Sequence, residues 1–235
     1  MELGEKLTHA MESHEMFGIV VFGYRIPVSD TMVVVLIVVI ALISLAFIFT
    51  RKMKAVPEGR QSVVEVVVEF INSFAKQNVG HHWKLFSAYL GTILLFLIFS
   101  NTISIFNIIP GHAFKLRPPT RNINVAACMA IISILVVLFS GIAIKKPKAW
   151  LKSFTEPMPV ILPFKILDYF IRPFSLALRL FGNIMGAFII MELIYLVMPA
   201  VIPAALSIYF DLFDGILQAY IFVFLSSLYI AEAIE

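Results

Sequence analysis

Long apolar tracts separated by short polar connections dominate this 235-residue sequence and restrict it to folds that sit in a lipid bilayer. Hydrophobic residues make up 60% of the chain and charged residues only 14%, whereas soluble domains are about a quarter charged. Tracts at 31–50, 85–109 and 125–144 each have the length that an α-helix needs to cross the hydrocarbon core. The sequence therefore predicts a multi-pass membrane protein.

Two further tracts, at 163–198 and 203–232, are longer than a membrane requires. As helices they would measure about 54 Å and about 45 Å, against a hydrocarbon core of about 30 Å. Either Pro173 breaks the first helix or the helix is steeply tilted. We expect a tilted antiparallel hairpin that turns near 199–203, in which residues whose numbers total about 400 face each other. The predicted fold class is an all-α integral membrane protein with about five membrane helices, in a single domain covering 1–235.

The remaining segments are more polar. In 61–80 the apolar residues recur at helical spacing on one face, which predicts an amphipathic helix that lies in the cytoplasmic interface or packs flat on its neighbours. Basic clusters at 51–54 and 145–152 flank apolar tracts and should be cytoplasmic. This orientation makes residues 1–30 an external N-terminal segment and places the C-terminus in the cytoplasm.

Arg179 lies deep inside the tract 163–198 and is the leading functional candidate. A charge at membrane depth costs about 2.5–3.5 kcal/mol on insertion scales, and a guanidinium cannot lose its proton to avoid that cost. An intramembrane Arg therefore normally faces a partner, a polar cavity or an ion path. The alternative is that Arg179 extends to the interface or stabilises a packing contact between helices.

The two long tracts contain five other polar side chains of interest, which are Asn183, Glu192, Asp211, Asp214 and Gln218. The expected hairpin register places Arg179 level with Gln218 in a deep tier, and Glu192 level with Asp211 nearer the outer surface. The spacing of Asp211, Asp214 and Gln218 predicts one stripe on the last helix. Alternatively, Asp211 and Asp214 merely cap or hydrate the outer end of that helix.

The strings RPFSLALRLFGNIMG at 172–186 and ILQAYIFVFLSSLYIAEA at 216–233 resemble subunit a of the F-type ATP synthase. The likeness covers the whole chain in the order and length of its spans. It implies an ion-translocating subunit with two offset half-channels for protons or sodium ions, in which Arg179 is the essential Arg that separates them. The resemblance also implies that Gln218 lies beside Arg179, and that Ser175 and Asn183 lie near the ion path.

The implied partners are a ring of c subunits, the b-subunit peripheral stalk, the rest of the ATP synthase complex and membrane lipid. Many members of the family have Glu nine residues after the Arg, where this chain has Phe188. Glu192 lies one helical turn further on, about 40° round the helix from Phe188. We expect Glu192 to supply the missing carboxylate, so that the outer half-channel is lined by Glu192, Asp211, Asp214 and Asn183.

No phosphate-binding loop or catalytic triad is recognisable in the sequence, so we expect no bound nucleotide and no catalysis by this chain alone. We also expect no cofactor, no metal site and no nucleic-acid partner. The expected location is the inner (plasma) membrane of a bacterium. Two alternative functions are a secondary transporter that uses Arg179 to bind an anionic substrate, although no inverted repeat is visible, and a purely structural membrane subunit.

Overall fold

The computed structural model describes residues 15–21, 24–51, 53–54, 59–108, 117–145, 147, 150, 162–197 and 205–235. Residues 1–14, the turn expected near 199–203 and the side chain of Glu192 lie outside this description. The helices of the described part are α1 (Asp30–Thr50), α2 (Arg60–Val79), α3 (Trp83–Thr102), α4 (Ile123–Lys145), α5 (Leu162–Val197) and α6 (Gly215–Ile234).

Five helical stretches of the described chain are long and apolar enough to cross a membrane, which confirms the prediction of a membrane protein whose spans are all α-helical. They are Asp30–Thr50, Arg60–Ile105, Ile123–Lys145, Leu162–Met191 and Ala205–Ile234. The second stretch joins α2 and α3 through a 3-10 turn at Gly80–His82. The last stretch begins at Ala205 and includes a π-helical segment, Ile208–Asp214, immediately before α6.

A β-hairpin that the sequence analysis did not predict precedes the first helix. Strands β1 (Glu15–Val21) and β2 (Tyr24–Ser29) pair antiparallel, with Val21 opposite Tyr24. The second strand leads directly into α1. Its last residue, Ser29, is still extended, and the Ser29 hydroxyl oxygen accepts a hydrogen bond from the backbone N–H of Met32 at 3.4 Å. This is the N-cap arrangement that satisfies a free amide at the start of a helix.

Helix α2 turns back along α3, so it packs on its neighbours, which is one of the two positions expected for the amphipathic segment. Its buried stripe consists of Ile71, Phe74, Ala75 and Val79. The turn is made at Gly80, whose φ of 70° favours glycine. A Cβ added to Gly91 of α3 would lie 3.0 Å from Cγ2 of Ile71, so the glycine permits this close approach.

Small residues let α4 and α6 pack closely in the centre of the bundle. The buried positions of α4 are Ala126, Ala130, Ser133, Val137, Ser140 and Gly141. Ser133 donates its hydroxyl to Ser226 of α6 at 2.8 Å, and both residues are buried. Large apolar side chains from α3 and α6, such as Leu97 and Phe222, fill the adjoining core.

Helix α5 runs unbroken through Pro173 for 36 residues. Of the two possibilities raised by its length, a break at Pro173 is therefore wrong. Its buried side chains, which include Leu176, Leu180 and Ile184, form one stripe on the bundle side. Helix α4 contacts both α5 and α6 more extensively than those two helices contact each other. The expected α5–α6 pairing thus consists of a few specific contacts, with α4 supporting both helices.

Candidate ion path

The middle of α5 meets α6 through two amide side chains. Asn183 donates Nδ2–H to Oε1 of Gln218 at 2.7 Å. Gln218 is only 1% exposed, and its Nε2 has no hydrogen-bond partner in the described part of the chain. The residue numbers 183 and 218 total 401, which agrees with the register expected for the two helices.

Arg179 lies one helical turn from Asn183 on α5, and the Arg179 side chain is exposed on the surface of the helix bundle. Within the described residues its guanidinium makes no hydrogen bond or ion pair. Gln218, expected to lie beside Arg179, is bonded to Asn183. Ser175 and Gly182 are exposed beside Arg179, and a Cβ added to Gly182 would meet nothing within 4 Å. The chain therefore presents a cation with open space around it.

Asp211 lies in the π-helical segment and faces the end of α3. Its Oδ1 accepts the hydroxyl of Ser104 at 2.8 Å, and its Oδ2 accepts the hydroxyl of Ser207. Asp214 is also half-buried. Since a π-helix has a different residue spacing from an α-helix, the single stripe predicted for Asp211, Asp214 and Gln218 does not apply across this segment.

A buried network that the sequence analysis missed connects this carboxylate region to the middle of the bundle. Asn101, which is 1% exposed, donates Nδ2–H to the carbonyl oxygen of Gly215 at 3.0 Å and accepts the hydroxyl of Thr120 at 2.7 Å. Gly215 permits this contact, because a Cβ there would lie 3.1 Å from the Cβ of Asn101. The available signal was an Asn within the apolar tract 85–109, a position where polar side chains are rare.

Thr120 belongs to a short buried turn, Pro119–Arg121, that is wedged between the ends of the helices. Arg121 lies in the polar connection between two apolar tracts and yet is only 4% exposed. Its guanidinium lies 4.7 Å from the ring centroid of Phe188 on α5 and 3.7 Å from Oδ2 of Asp30 on α1. Through Arg121 the turn therefore connects α5, at Phe188, to the start of α1, at Asp30.

The other end of α5 meets α6 through an ion pair. Arg172 donates Nη2–H to Oε1 of Glu232 at 2.7 Å, and its guanidinium lies 5.0 Å from the ring centroid of Tyr229. Asp168, one turn earlier on α5, has Oδ2 at 3.9 Å from Nη2 of Arg172. The numbers 172 and 232 total 404, so the antiparallel register continues to this end of the helices.

Along the π-helical segment and α6, these contacts form a row of polar groups. Asp211, the carbonyl of Gly215 and Gln218 follow one another, and their respective partners are Ser104, Asn101 of α3 and Asn183 of α5. The row ends one helical turn of α5 away from Arg179. Carboxylate and carbonyl oxygens in such a row can attract a cation, whereas the fixed positive charge of Arg179 repels one. No group of three or more His, Cys, Asp or Glu residues suited to a metal occurs in the described part of the chain.

One family of known proteins matches most of the chain. The family model of the ATP synthase A chain matches residues 31–231. The sodium-ion-specific ATP synthase subunit a of Propionigenium modestum is 31% identical over 220 residues, which cover 90% of this chain and 76% of that protein. ATP synthase subunit a of Gloeobacter violaceus is 32% identical over 213 residues, which cover 88% of this chain and 84% of the relative.

Proposed function

The chain belongs to the ATP synthase A chain family, and on that premise we propose that it guides ions to and from a rotating ring of c subunits. The ions use two offset half-channels, which Arg179 keeps apart. Ion flow through these paths is coupled to rotation of the ring, and nucleotide chemistry occurs on other subunits. Membership of this family favours the stator subunit over the secondary transporter and over a purely structural subunit.

The observation that carries the proposal is the environment of Arg179. Its guanidinium is exposed on a membrane helix and has no hydrogen bond or ion pair within the described chain. An intramembrane charge is costly without a partner, and because the described residues supply none, we assign that partner to another molecule. The small residues beside Arg179, Ser175 and Gly182, leave room for a neighbouring helix to approach. A carboxylate on a c-subunit helix satisfies both requirements.

The polar row supports the outer half-channel. An ion enters near Asp211, whose carboxylate is held by Ser104 and Ser207. It then passes the buried Asn101 network and reaches the Asn183–Gln218 pair next to Arg179. There it neutralises a ring carboxylate, which can enter the lipid once its charge is removed.

Arg179 acts on the carboxylate that returns after nearly a full turn of the ring. A fixed positive charge favours the ionised form of an approaching carboxylate, so the bound ion is released toward the inner half-channel. The same charge repels a cation that would pass directly from one half-channel to the other. Each elementary charge that crosses yields about 2.3 kcal/mol per 100 mV, and a direct leak would dissipate that free energy.

Glu192 is proposed as a further carboxylate of the outer half-channel, in place of the Glu that many members have where this chain has Phe188. The Phe188 ring packs against the buried guanidinium of Arg121. Phe188 therefore has a packing role at this position, and the carboxylate of the half-channel is assigned to Glu192. The transported ion is a proton or a sodium ion. The name of the Propionigenium modestum relative specifies sodium, and that of the Gloeobacter violaceus relative specifies no ion.

The test is ATP synthesis driven by an imposed ion gradient in membrane vesicles that contain the assembled complex. Arg179→Ala should abolish coupled synthesis because nothing then separates the half-channels, and Arg179→Lys should restore little, because an ammonium lacks the planar fork of the guanidinium. Arg60→Ala, at an exposed position on α2, is the matched control and should behave as the unmodified chain. Sustained synthesis by the Arg179→Ala complex would show that the assignment is wrong.

A further inference from the structure

Helix α5 carries Arg179, and two side-chain hydrogen bonds attach it to α6 on either side of that residue. The Asn183–Gln218 bond lies four residues after Arg179, and the Arg172–Glu232 bond lies seven residues before it. Seven residues are about two helical turns, so Arg172 and Arg179 lie on nearly the same face, about 10 Å apart along the helix axis. The two arginines nevertheless have different surroundings, since Arg172 is half-buried and Arg179 is exposed.

Arg172 is held by two residues of α6 that are three positions apart. Glu232 accepts its Nη2–H at 2.7 Å, and the ring of Tyr229 lies 5.0 Å from the guanidinium carbon. The Arg172 side chain is 19% exposed and that of Glu232 is 62% exposed, so the guanidinium is largely shielded while the carboxylate remains partly solvated. A charge-assisted hydrogen bond combined with a cation–π contact fixes both the position and the plane of a guanidinium.

We propose that Arg172, Glu232 and Tyr229 form a clamp that sets the register of α5 on α6 and thereby positions Arg179. This inference rests on the proposed function of Arg179 and assigns Arg172 and Glu232 as positioning residues for it. We name the three residues the inner clamp.

The packing of α5 explains why such a clamp is required. Helix α5 contacts α4 more extensively than α6, and its opposite face, including Phe170 and Phe174, is exposed. A partner that moves past Arg179 applies force to that exposed face. No hydrophobic driving force holds helices together within a bilayer, whereas hydrogen bonds on both sides of Arg179 resist displacement along the helix. With the clamp lost, Arg179 shifts relative to Gln218 and both half-channels are affected.

The experiment compares Arg172→Gln, Glu232→Gln, the double variant with both changes, and the charge-exchanged variant Arg172→Glu/Glu232→Arg, each in the complete ATP synthase. Asp168→Asn is the matched control, because Asp168 lies 3.9 Å from the same guanidinium but on the same helix, so its loss leaves α5 and α6 joined. The measurements are gradient-driven ATP synthesis per assembled complex and passive ion conduction after removal of the nucleotide-binding head.

Each single variant should lower coupled synthesis about threefold to tenfold, the factor expected for a partly exposed charge-assisted hydrogen bond. The double variant should be no worse than either single variant, because both remove the same contact. Charge exchange should recover part of the loss, and Asp168→Asn should change little. If the single variants fail to assemble, recovered assembly in the charge-exchanged variant supports the clamp.

The clamp is refuted if both single variants match Asp168→Asn in coupled synthesis, or if the losses are additive and charge exchange recovers neither synthesis nor assembly. A loss of synthesis in the variants that change Glu232, with Arg172→Gln matching Asp168→Asn, would assign Glu232 to the ion path itself and also overturn the clamp. The parallel Arg179→Ala complex separates this result from the proposed function. Loss of synthesis there, with normal clamp variants, refutes only the clamp, whereas sustained synthesis there refutes the function on which the clamp rests.

Discussion

Asn101 provides the sharpest test of how the outer half of the bundle is held together. Replacing Asn101 with Ala removes the hydrogen bond to the carbonyl of Gly215 at 3.0 Å and leaves the hydroxyl of Thr120 without its acceptor. Both Asn101 and Thr120 are almost completely buried, so water cannot replace either bond. We expect Asn101→Ala to destabilise the subunit, whereas Asn124→Ala, at an exposed position on α4, should not.

The magnitude follows from the two bonds lost. Side-chain hydrogen bonds between membrane helices contribute about 0.6 kcal/mol on average and up to about 1.7 kcal/mol, so the loss of two should cost about 2 kcal/mol. For a chain of this size, about 2–4 °C of melting temperature corresponds to each kcal/mol. The midpoint of thermal inactivation should therefore fall by about 4–8 °C. The assay is passive ion conduction by membranes without the nucleotide-binding head, after identical heating at a series of temperatures.

A double-mutant cycle assigns the effect to the contact. Thr120→Val keeps the shape of the side chain and removes the hydroxyl that donates to Asn101. The combined Asn101→Ala/Thr120→Val variant should lose about 1 kcal/mol less than the sum of the single variants, because the two changes break one shared bond. Strict additivity, or an unchanged midpoint in Asn101→Ala, would refute the reasoning.

Two further predictions concern other parts of the chain. Gly91→Val should destabilise the α2–α3 pair by about 1–3 kcal/mol through overlap with Ile71. In the same heating assay, adding Ile71→Ala should recover part of the lost stability. No recovery would mean that the two residues do not meet. Glu192→Gln should lower ion transport through the assembled complex in an ion-flux assay, and normal transport in that variant would remove Glu192 from the path.

The sequence was sufficient for features that depend on local pattern. Apolar length identified the spans, and the number-sum register agrees with the Asn183–Gln218 and Arg172–Glu232 contacts, because antiparallel helices of constant rise keep a constant sum. Arg179 is exposed, which agrees with the expectation that an intramembrane Arg faces a partner or an ion path. The register placed Gln218 level with Arg179, but the side chain of α5 that bonds to Gln218 is that of Asn183. A register gives the level of two residues along the helices and leaves open which side chains reach each other.

Contacts between distant segments were not accessible from the sequence. Asn101 and Gly215 are 114 positions apart, and nothing local to either residue indicates that they meet. Arg121 is buried against Asp30 and Phe188, and nothing in the residues around it in the sequence indicates either contact. The π-helical segment around Asp211 also escaped prediction, since it rests on a change of hydrogen-bond spacing that the apolar pattern does not encode.

The sequence by itself determined that the chain is a membrane protein, which tracts are helical and that a permanent positive charge lies among them, because hydrophobicity and side-chain ionisation are properties of single residues and their neighbours. The tertiary structure alone decided that the Pro119–Arg121 turn is buried, that Asp211 bonds to Ser104 just beyond α3, and that Arg172 is paired while Arg179 has no partner among the described residues. Those outcomes depend on how helices far apart in the chain pack, and packing determines which polar groups lose water and must find partners within the protein.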